Sequence, residues 1–424
     1  MRPCPPQQRQ SGSLTSLLIP KVIHLIYLKM PEDIAAAGAK RSNVEFCTLG
    51  MFILDDIDFE GSRPSVKNVL GGAASFAVIG ARMVAGKEYS RSVSWIVDVG
   101  SDFPPEVLNK LKYWDTDCNF REDLGRLTTR AWNGYGPNEK RAFKYLTPKL
   151  RLEPYMLSDS QVSSKTFHMV CSSARCISIV RDILRRRGEL ESAGTPSSGR
   201  PVFVWEPVPD MCTPEEQQRF LEACREVDIV SPNDLELGMM FDQPSWSEES
   251  EFGKRIAEKI LTSGIGPQGE GHLVIRAGKD GSYSYSRSQR LWLPAYHQPV
   301  ASGESAVVDP TGAGNSFLGA LAQGMISKGR DAAKVVDSVL RESANWRSAT
   351  TTAQGNQTSV PTALILATIA ASFVVEQIGV PRQSTSQEGK EIWNETEFTE
   401  RVRLYTQGLY RTLEESPQKH LHMN

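Results

Sequence analysis

The chain has 424 residues and a mass of 46.9 kDa, enough to bury a large core in one big α/β domain or two smaller ones. Hydrophobic residues make up 40% and charged residues 23%, and a formal net charge of −2 leaves no basic footprint for nucleic acid. No apolar run reaches transmembrane length, so no membrane partner is expected, and seven scattered cysteines without a C-x-x-C pair or a His cluster point away from zinc and toward reduced thiols in a cytoplasmic protein.

In chain order, residues 1–43 come first and read as a leader outside the fold. Through Met30 they carry Arg2, Arg9, Lys21 and Lys29 but no acid, somewhat as a mitochondrial presequence does. Pro5, Pro6 and Pro20 and the weak amphipathic pattern favour a disordered leader instead. From Val44 onward, short apolar strand patterns at 45–54, 94–97, 166–171, 202–205, 228–230 and 273–276 alternate with helical patterns at 73–84, 177–187, 214–226 and 251–261. Most of the strands are continuously apolar, as expected for strands covered on both faces, so the fold class is α/β with a doubly wound, mostly parallel sheet.

The first strand ends in Asp55 and Asp56, and Gly71-Gly72 opens the next helix, with Phe76 four residues on. Carboxylates at a strand end can bind polyol hydroxyls and a Gly pair lets backbone approach a ligand; a solvated strand end and a plain turn describe them equally well. Residues 127–146 break the rhythm with two extended segments and Gly134-Tyr135-Gly136-Pro137-Asn138 in the link, which reads as a β-hairpin or small β-flap. Arg185-Arg186-Arg187 before Gly188 reads as the basic last turn of a helix, and 191–199 as a loop.

After the strand at 228–230, Asn233-Asp234-Leu235-Glu236 places an amide and a carboxylate on one helical turn. Such a pair can order Mg²⁺ waters and phosphate oxygens, or simply form a capping box. Arg276-Ala277-Gly278-Lys279-Asp280-Gly281 ends a strand in a tight turn, suited to a nucleotide or merely to the next strand at 282–286. A strand-like 306–308 then leads into Asp309-Pro310-Thr311-Gly312-Ala313-Gly314-Asn315, followed by a helix with Phe317, Leu318, Leu321 and Met325 on one face and a stop at Lys328-Gly329. A Gly-Ala-Gly turn at a helix start aims free N–H groups and the positive end of the helix dipole at one point, a site for phosphate, although such turns also serve purely structural ends. Residues 348–358 read as a loop, 363–378 as a helix closed by Gly379-Val380-Pro381, and the tail past Gln383 as a Ser/Gln-rich linker before a helix at 397–413.

In order, spacing and topology these elements resemble the PfkB carbohydrate kinase family, with its ribokinase-like fold, over about residues 44–381. The tract from Phe203 to Pro209, Phe-Val-Trp-Glu-Pro-Val-Pro, together with Gln377-Ile378-Gly379-Val380-Pro381, looks most like the divergent fungal branch related to the yeast maintenance-of-killer proteins. The resemblance implies a domain at 44–385 with a β-flap lid near 127–146, then a linker and helix at 386–424. It implies ATP- and Mg²⁺-dependent transfer of a γ-phosphoryl group to a hydroxyl of a sugar, nucleoside or related polyol, and offers the lid as a surface for a homo-oligomer. Gly312, Ala313 and Gly314 would form the anion hole. Asn233, Glu236, Arg276, Gly278, Gly281 and Thr311 would serve the nucleotide, with Asn233 and Glu236 organising Mg²⁺ through water. Asp55, Gly71, Gly72 and Phe76 would face the acceptor.

Two positions depart from the family pattern. Phe76 stands where the family has an Asn, which alters acceptor specificity, and Asn315 stands at the position of the base Asp. An amide cannot take the hydroxyl proton at neutral pH. General-base catalysis contributes about 10²–10⁴-fold, roughly 3–5 kcal/mol of barrier. Phosphoryl transfer draws most of its acceleration from positioning and charge stabilisation, so a slow kinase is the first expectation. The alternative is a catalytically impaired protein of this fold that binds nucleotide or metabolite and acts through protein or particle partners.

Overall fold

The computed structural model describes residues 44–59, 64–135, 141–196, 199–298, 306–344, 346–347, 358–415 and 420–423. The expected leader at 1–43, the 136–138 part of the flap link and most of the 348–358 loop lie outside the described residues.

The strands in chain order are β1 (Phe46–Thr48), β2 (Ile53–Phe59), β3 (Val66–Gly71), β4 (Val93–Val99), β5 (Asp117–Glu122), β6 (Arg130–Tyr135), β7 (Arg141–Tyr145), β8 (Thr166–Cys171), β9 (Val202–Pro207), β10 (Ile229–Val230), β11 (His272–Arg276), β12 (Ser282–Tyr285), β13 (Gln289–Leu293), β14 (Gln383–Thr385), β15 (Glu391–Trp393) and β16 (Leu421–Met423). Ten of them form one sheet in the order β16-β13-β12-β11-β10-β9-β8-β1-β4-β5. The run from β5 to β11 is parallel, and β12, β13 and β16 add an antiparallel edge. This is the doubly wound, mostly parallel sheet expected from the sequence.

Side chains alternate between two cores, as the period of a strand dictates. On β9, Val202 and Val204 pack with the helices Gly72–Ala85, Ala313–Gly324 and Val360–Val374, while Phe203 and Trp205 pack with Ser173–Ser192, Gln217–Cys224 and Glu251–Ser263. The helices Gly72–Ala85 and Ala313–Gly324 touch backbone to backbone. A Cβ on Gly319 would fall 1.9 Å from the carbonyl oxygen of Ala77, and one on Gly80 would fall 2.0 Å from that of Ser316. Only glycine allows this approach, and it sets the two helix N-termini side by side.

Several sequence expectations are corrected. The strand expected over 45–54 is two strands in two sheets, β1 and β2. Gly50 lies between them, pressed so close to the other helix that a Cβ would fall 2.7 Å from the Ala74 nitrogen. The flap is a four-stranded sheet, β3-β2-β6-β7, so it recruits β2 and β3 besides the segment at 127–146. Residues 306–308 are not a strand; the Val308 and Asp309 N–H groups instead both donate to the Val375 carbonyl, at 2.7 and 3.1 Å.

The arginine triple is not a last turn, because the helix continues to Ser192, and Arg187 is buried, donating to the carbonyls of Val162 (2.7 Å), Ser164 (3.0 Å) and Gly199 (2.8 Å). The tail read as a linker past Gln383 forms the β14–β15 hairpin. Trp393 is buried and Glu391 pairs with buried Arg82, before the helix Phe398–Glu415 packs into the same core. No described helix is long and apolar enough to cross a membrane. The six described cysteines are free thiols, and burial pushes those of Cys47, Cys118 and Cys224 well up.

Candidate phosphate site at the paired helix N-termini

The helix Ala313–Gly324 starts where its sequence stops the chain from doing anything else. Asp309 is buried, its Oδ1 accepts the Thr311 N–H at 2.9 Å, and Gly312 takes φ +84° as the N-cap, a left-handed conformation that favours glycine. The Ala313 N–H turns back to the Pro310 carbonyl at 3.2 Å, while the N–H groups of Gly314 and Asn315 have no partners within the helix, so their donors and the helix dipole point outward together. No acidic side chain sits in that first turn to occupy them.

The residues expected to face the acceptor lie beside this turn. The carboxylate of buried Asp55 on β2 lies against Gly71, whose Cβ would fall 1.9 Å from Asp55 Oδ2. Gly72 follows at φ +81° and begins the helix. One turn later the Phe76 ring, 3% exposed, lies flat against Gly312, where a Cβ would fall 2.3 Å from Cδ1. Phe76 is therefore the contact between the acceptor helix and the glycine turn. The amide oxygen Oδ1 of Asn315 is buried with no hydrogen-bond partner.

On the other side of the turn stands Arg276, at the end of β11. A Cβ on Gly314 would fall 2.1 Å from its Nη1. Its Nη2 donates to the Ser231 carbonyl at 3.0 Å, lies 2.8 Å from Glu206 Oε1 and lies 3.2 Å from Glu236 Oε2. Asn233 and Glu236 form a complete capping box: Asn233 Oδ1 accepts the Glu236 N–H at 2.7 Å, and Glu236 Oε2 accepts the Asn233 N–H at 2.8 Å. Burial pushes the Glu236 carboxyl up to about 7, with Arg276 pulling it down and Glu206 adding to the rise. His168 on β8 is also fully buried and is pushed down to about 3 by desolvation, with Arg276 adding to the effect.

The structure thus gathers Asp55, Gly71, Gly72, Phe76, Gly312, Gly314, Glu236 and Arg276 into one chain of contacts. Gly278 and Gly281 behave differently. A Cβ on Gly281 would fall 2.0 Å from the Leu293 carbonyl, which ties it to β13, whereas Gly278 faces open space. Glu206 was missed by the sequence reading of residue roles. Its signal was there: a carboxylate at the carboxyl end of a central strand, inside the Trp205-Glu206-Pro207 tract. Two surface hollows of about 380 and 410 Å³, lined by Glu248, Tyr285 and Arg290 and by Arg91, Asp115 and Cys118, share no residue with this cluster.

The turn suits a phosphate: outward N–H groups, a guanidinium beside them and no acid between. The donor set for Mg²⁺ does not fit direct coordination. Asn233 Oδ1 and Glu236 Oε2 are engaged in the cap, Glu236 Oε2 also has a guanidinium beside it, and among the described residues no group of three or more His, Cys, Asp or Glu could hold a metal ion.

Comparison with known proteins brings this geometry together with a family. A family profile described as pfkB family carbohydrate kinase matches residues 205–385, which include Glu206, Asn233, Glu236, Arg276 and the glycine turn. Protein MAK32 of Saccharomyces cerevisiae is 33% identical over 379 residues, covering 84% of this chain and 91% of that protein. An uncharacterized protein of Schizosaccharomyces pombe is 32% identical over 374 residues, covering 86% of this chain and 93% of its own. Among solved structures, ribokinase from Giardia lamblia superposes with a TM-score of 0.56 at 17% identity, covering 88% of this chain and all (100%) of that one. Arabidopsis thaliana ribokinase complexed with ribose and ATP gives 0.52 at 17% identity, covering 79% and 94%. Adenosine kinase from Sinorhizobium meliloti gives 0.54 at 17% identity, covering 80% and 95%. At these identities the solved structures share the ribokinase-like fold.

Proposed function

The chain belongs to the pfkB carbohydrate kinase family, in the fungal branch that includes Protein MAK32, and from that premise we propose that it transfers the γ-phosphoryl group of ATP to a hydroxyl of a sugar, nucleoside or related polyol. The observation that carries this reading is the junction at Phe76 and Gly312. It sets the Asp55–Gly71 carboxylate site and the anion-binding turn on two helix N-termini in direct contact.

In this reading the Gly312–Gly314 turn holds the transferring phosphoryl group, and its N–H groups stabilise the charge on the equatorial oxygens. Asp55 accepts hydrogen bonds from the acceptor. Asn315 Oδ1, an acceptor with no partner in the structure, takes the hydrogen bond of the attacking hydroxyl and aims its oxygen without removing the proton. The new oxygen–phosphorus bond forms as the bond to the bridging oxygen of the leaving diphosphate breaks, and the proton passes to water. Losing the base slows this by about 10²–10⁴-fold but leaves positioning and charge stabilisation in place.

Phe76 supports a second reading. A buried ring under the glycine turn cannot make an amide's hydrogen bonds, so the same site would bind nucleotide without committing an acceptor. The two readings separate when the full chain is incubated with ATP and a panel of sugars and nucleosides and the products are weighed by mass spectrometry. A phosphorylated acceptor supports the kinase. ATP binding with no phosphorylated product from any member of the panel leaves the binding protein.

A further inference from the structure

Arg276 is held by one corner of its guanidinium. Nη2 takes the Ser231 carbonyl, Glu206 and Glu236, while Nη1 donates to no described group and Nε is buried without an acceptor. Glu206 is 6% exposed, and its second oxygen, Oε2, is buried without a donor. Nη1 lies against Gly314, in the mouth of the turn. The two carboxylates therefore fix the arm and leave donors facing the place where phosphate oxygens would stand. A guanidinium fork matches such oxygens in geometry as well as charge.

A metal on Glu236 Oε2 would conflict with this arrangement. Nη2 lies 3.2 Å from Glu236 Oε2. With a Mg–O distance of about 2.1 Å, a Mg²⁺ bound to that same oxygen would lie at most about 5 Å from Nη2, and two cations at that range repel. We infer that Arg276, and not a divalent metal, is the cation that balances Glu236 and meets the polyphosphate of a nucleoside triphosphate at the Gly312–Gly314 turn. The inference rests on the phosphate reading of that turn given above. Arg276 is then a phosphate-contacting residue, Glu206 is the positioning residue that holds it, and nucleotide binding does not require Mg²⁺.

The test is calorimetric titration of the full chain with ATP and with AMP, each in Mg²⁺ and in EDTA. The wild-type protein should bind ATP with less than about a tenfold difference between the two conditions. Arg276→Gln leaves two buried carboxylates without a cation and can fail to fold, so it is paired with Arg276→Lys, which keeps the charge but not the fork. Arg276→Lys should weaken ATP binding by about tenfold or more while leaving AMP binding, the report on an intact site, within about threefold. Wild-type ATP binding that drops tenfold or more in EDTA overturns the inference, and so does an ATP affinity that Arg276→Lys leaves unchanged. In both cases ATP still binds the wild-type protein, so the phosphate reading stands. A wild-type chain that binds neither nucleotide under either condition removes the phosphate reading and the inference together.

Discussion

Nη1 of Arg276 stands where a side chain on Gly314 would begin, 2.1 Å from the position of its Cβ. The neighbour is the far end of a flexible side chain, so Gly314→Ala should fold while displacing the guanidinium. The expected result is an ATP affinity lowered by about tenfold with a smaller fall in melting temperature than Gly319→Ala shows. Gly319→Ala makes the opposite control. Its Cβ would fall 1.9 Å from the Ala77 carbonyl oxygen, which is backbone, so stability should drop by about 1–3 kcal/mol or more. Thermal melts and ATP titrations of the two variants check the pair; equal loss of stability in both would contradict it.

The buried histidine on β8 predicts a specific acid sensitivity. His168 Nδ1 lies 2.9 Å from Thr48 Oγ1, and burial pushes the imidazole from 6.5 to about 3. As pH falls below 6.5 the unfolded chain takes up a proton that the folded chain refuses, so stability is lost between pH 6.5 and about 3. By pH 4 the loss is on the order of 3 kcal/mol. His168→Asn keeps a polar group near Thr48 and removes the titration. Chemical denaturation from pH 7 to pH 4 should therefore show a shallower decline for the variant, and parallel curves would contradict the assignment.

Arg187 is expected to hold the Ser173–Ser192 helix against the chain around Ser164 and Gly199. Replacing it with methionine keeps the aliphatic stem but strands three carbonyls. Arg187→Met should destabilise the protein by roughly 2–4 kcal/mol, read as a shift in the urea midpoint, without changing the ratio of ATP to AMP affinity. A variant as stable as wild type would return the arginine triple to the role of a solvated helix end.

The C-terminal segment should be inseparable from the fold. Trp393, Phe398, Val402, Leu409 and Leu413 are buried, and Glu391 is the partner of Arg82, which is 1% exposed. A chain ending at Arg382 would leave that buried arginine without its carboxylate, with only the Trp114 carbonyl on Nε, a change typically worth about 3–5 kcal/mol, besides exposing the apolar residues beneath. Loss of cooperative unfolding in the truncated chain is the expected outcome. A sharp melt near the wild-type temperature would show a separate module.

Much of this was legible in the sequence because it rests on local rules. Continuous apolar runs gave β8 at 166–171 without error, and the glycine turn announced a helix start at the right place. The capping box of Asn233 and Glu236 followed from their spacing. The errors have long-range causes. Nothing local says that 45–54 changes sheets, because the change is set by the pressure of the Ala74 backbone on Gly50. The tail looked like linker because its Ser/Gln-rich stretch hides a single anchor, Glu391, whose partner Arg82 lies 309 residues earlier. Arg276 read as part of a turn because its importance depends on Glu206, Glu236 and Gly314, which come from three separate segments.

The most direct test of the account is the turnover of Asn315→Asp beside wild type, with ATP and the acceptor panel. If Asn315 aims the hydroxyl in a site otherwise built for phosphoryl transfer, restoring the carboxylate should raise kcat by about 10²–10⁴-fold on the same acceptor, with little change in ATP affinity. If both proteins bind ATP and neither forms a phosphorylated product, the site is not a kinase site held back by its base, and the claim fails.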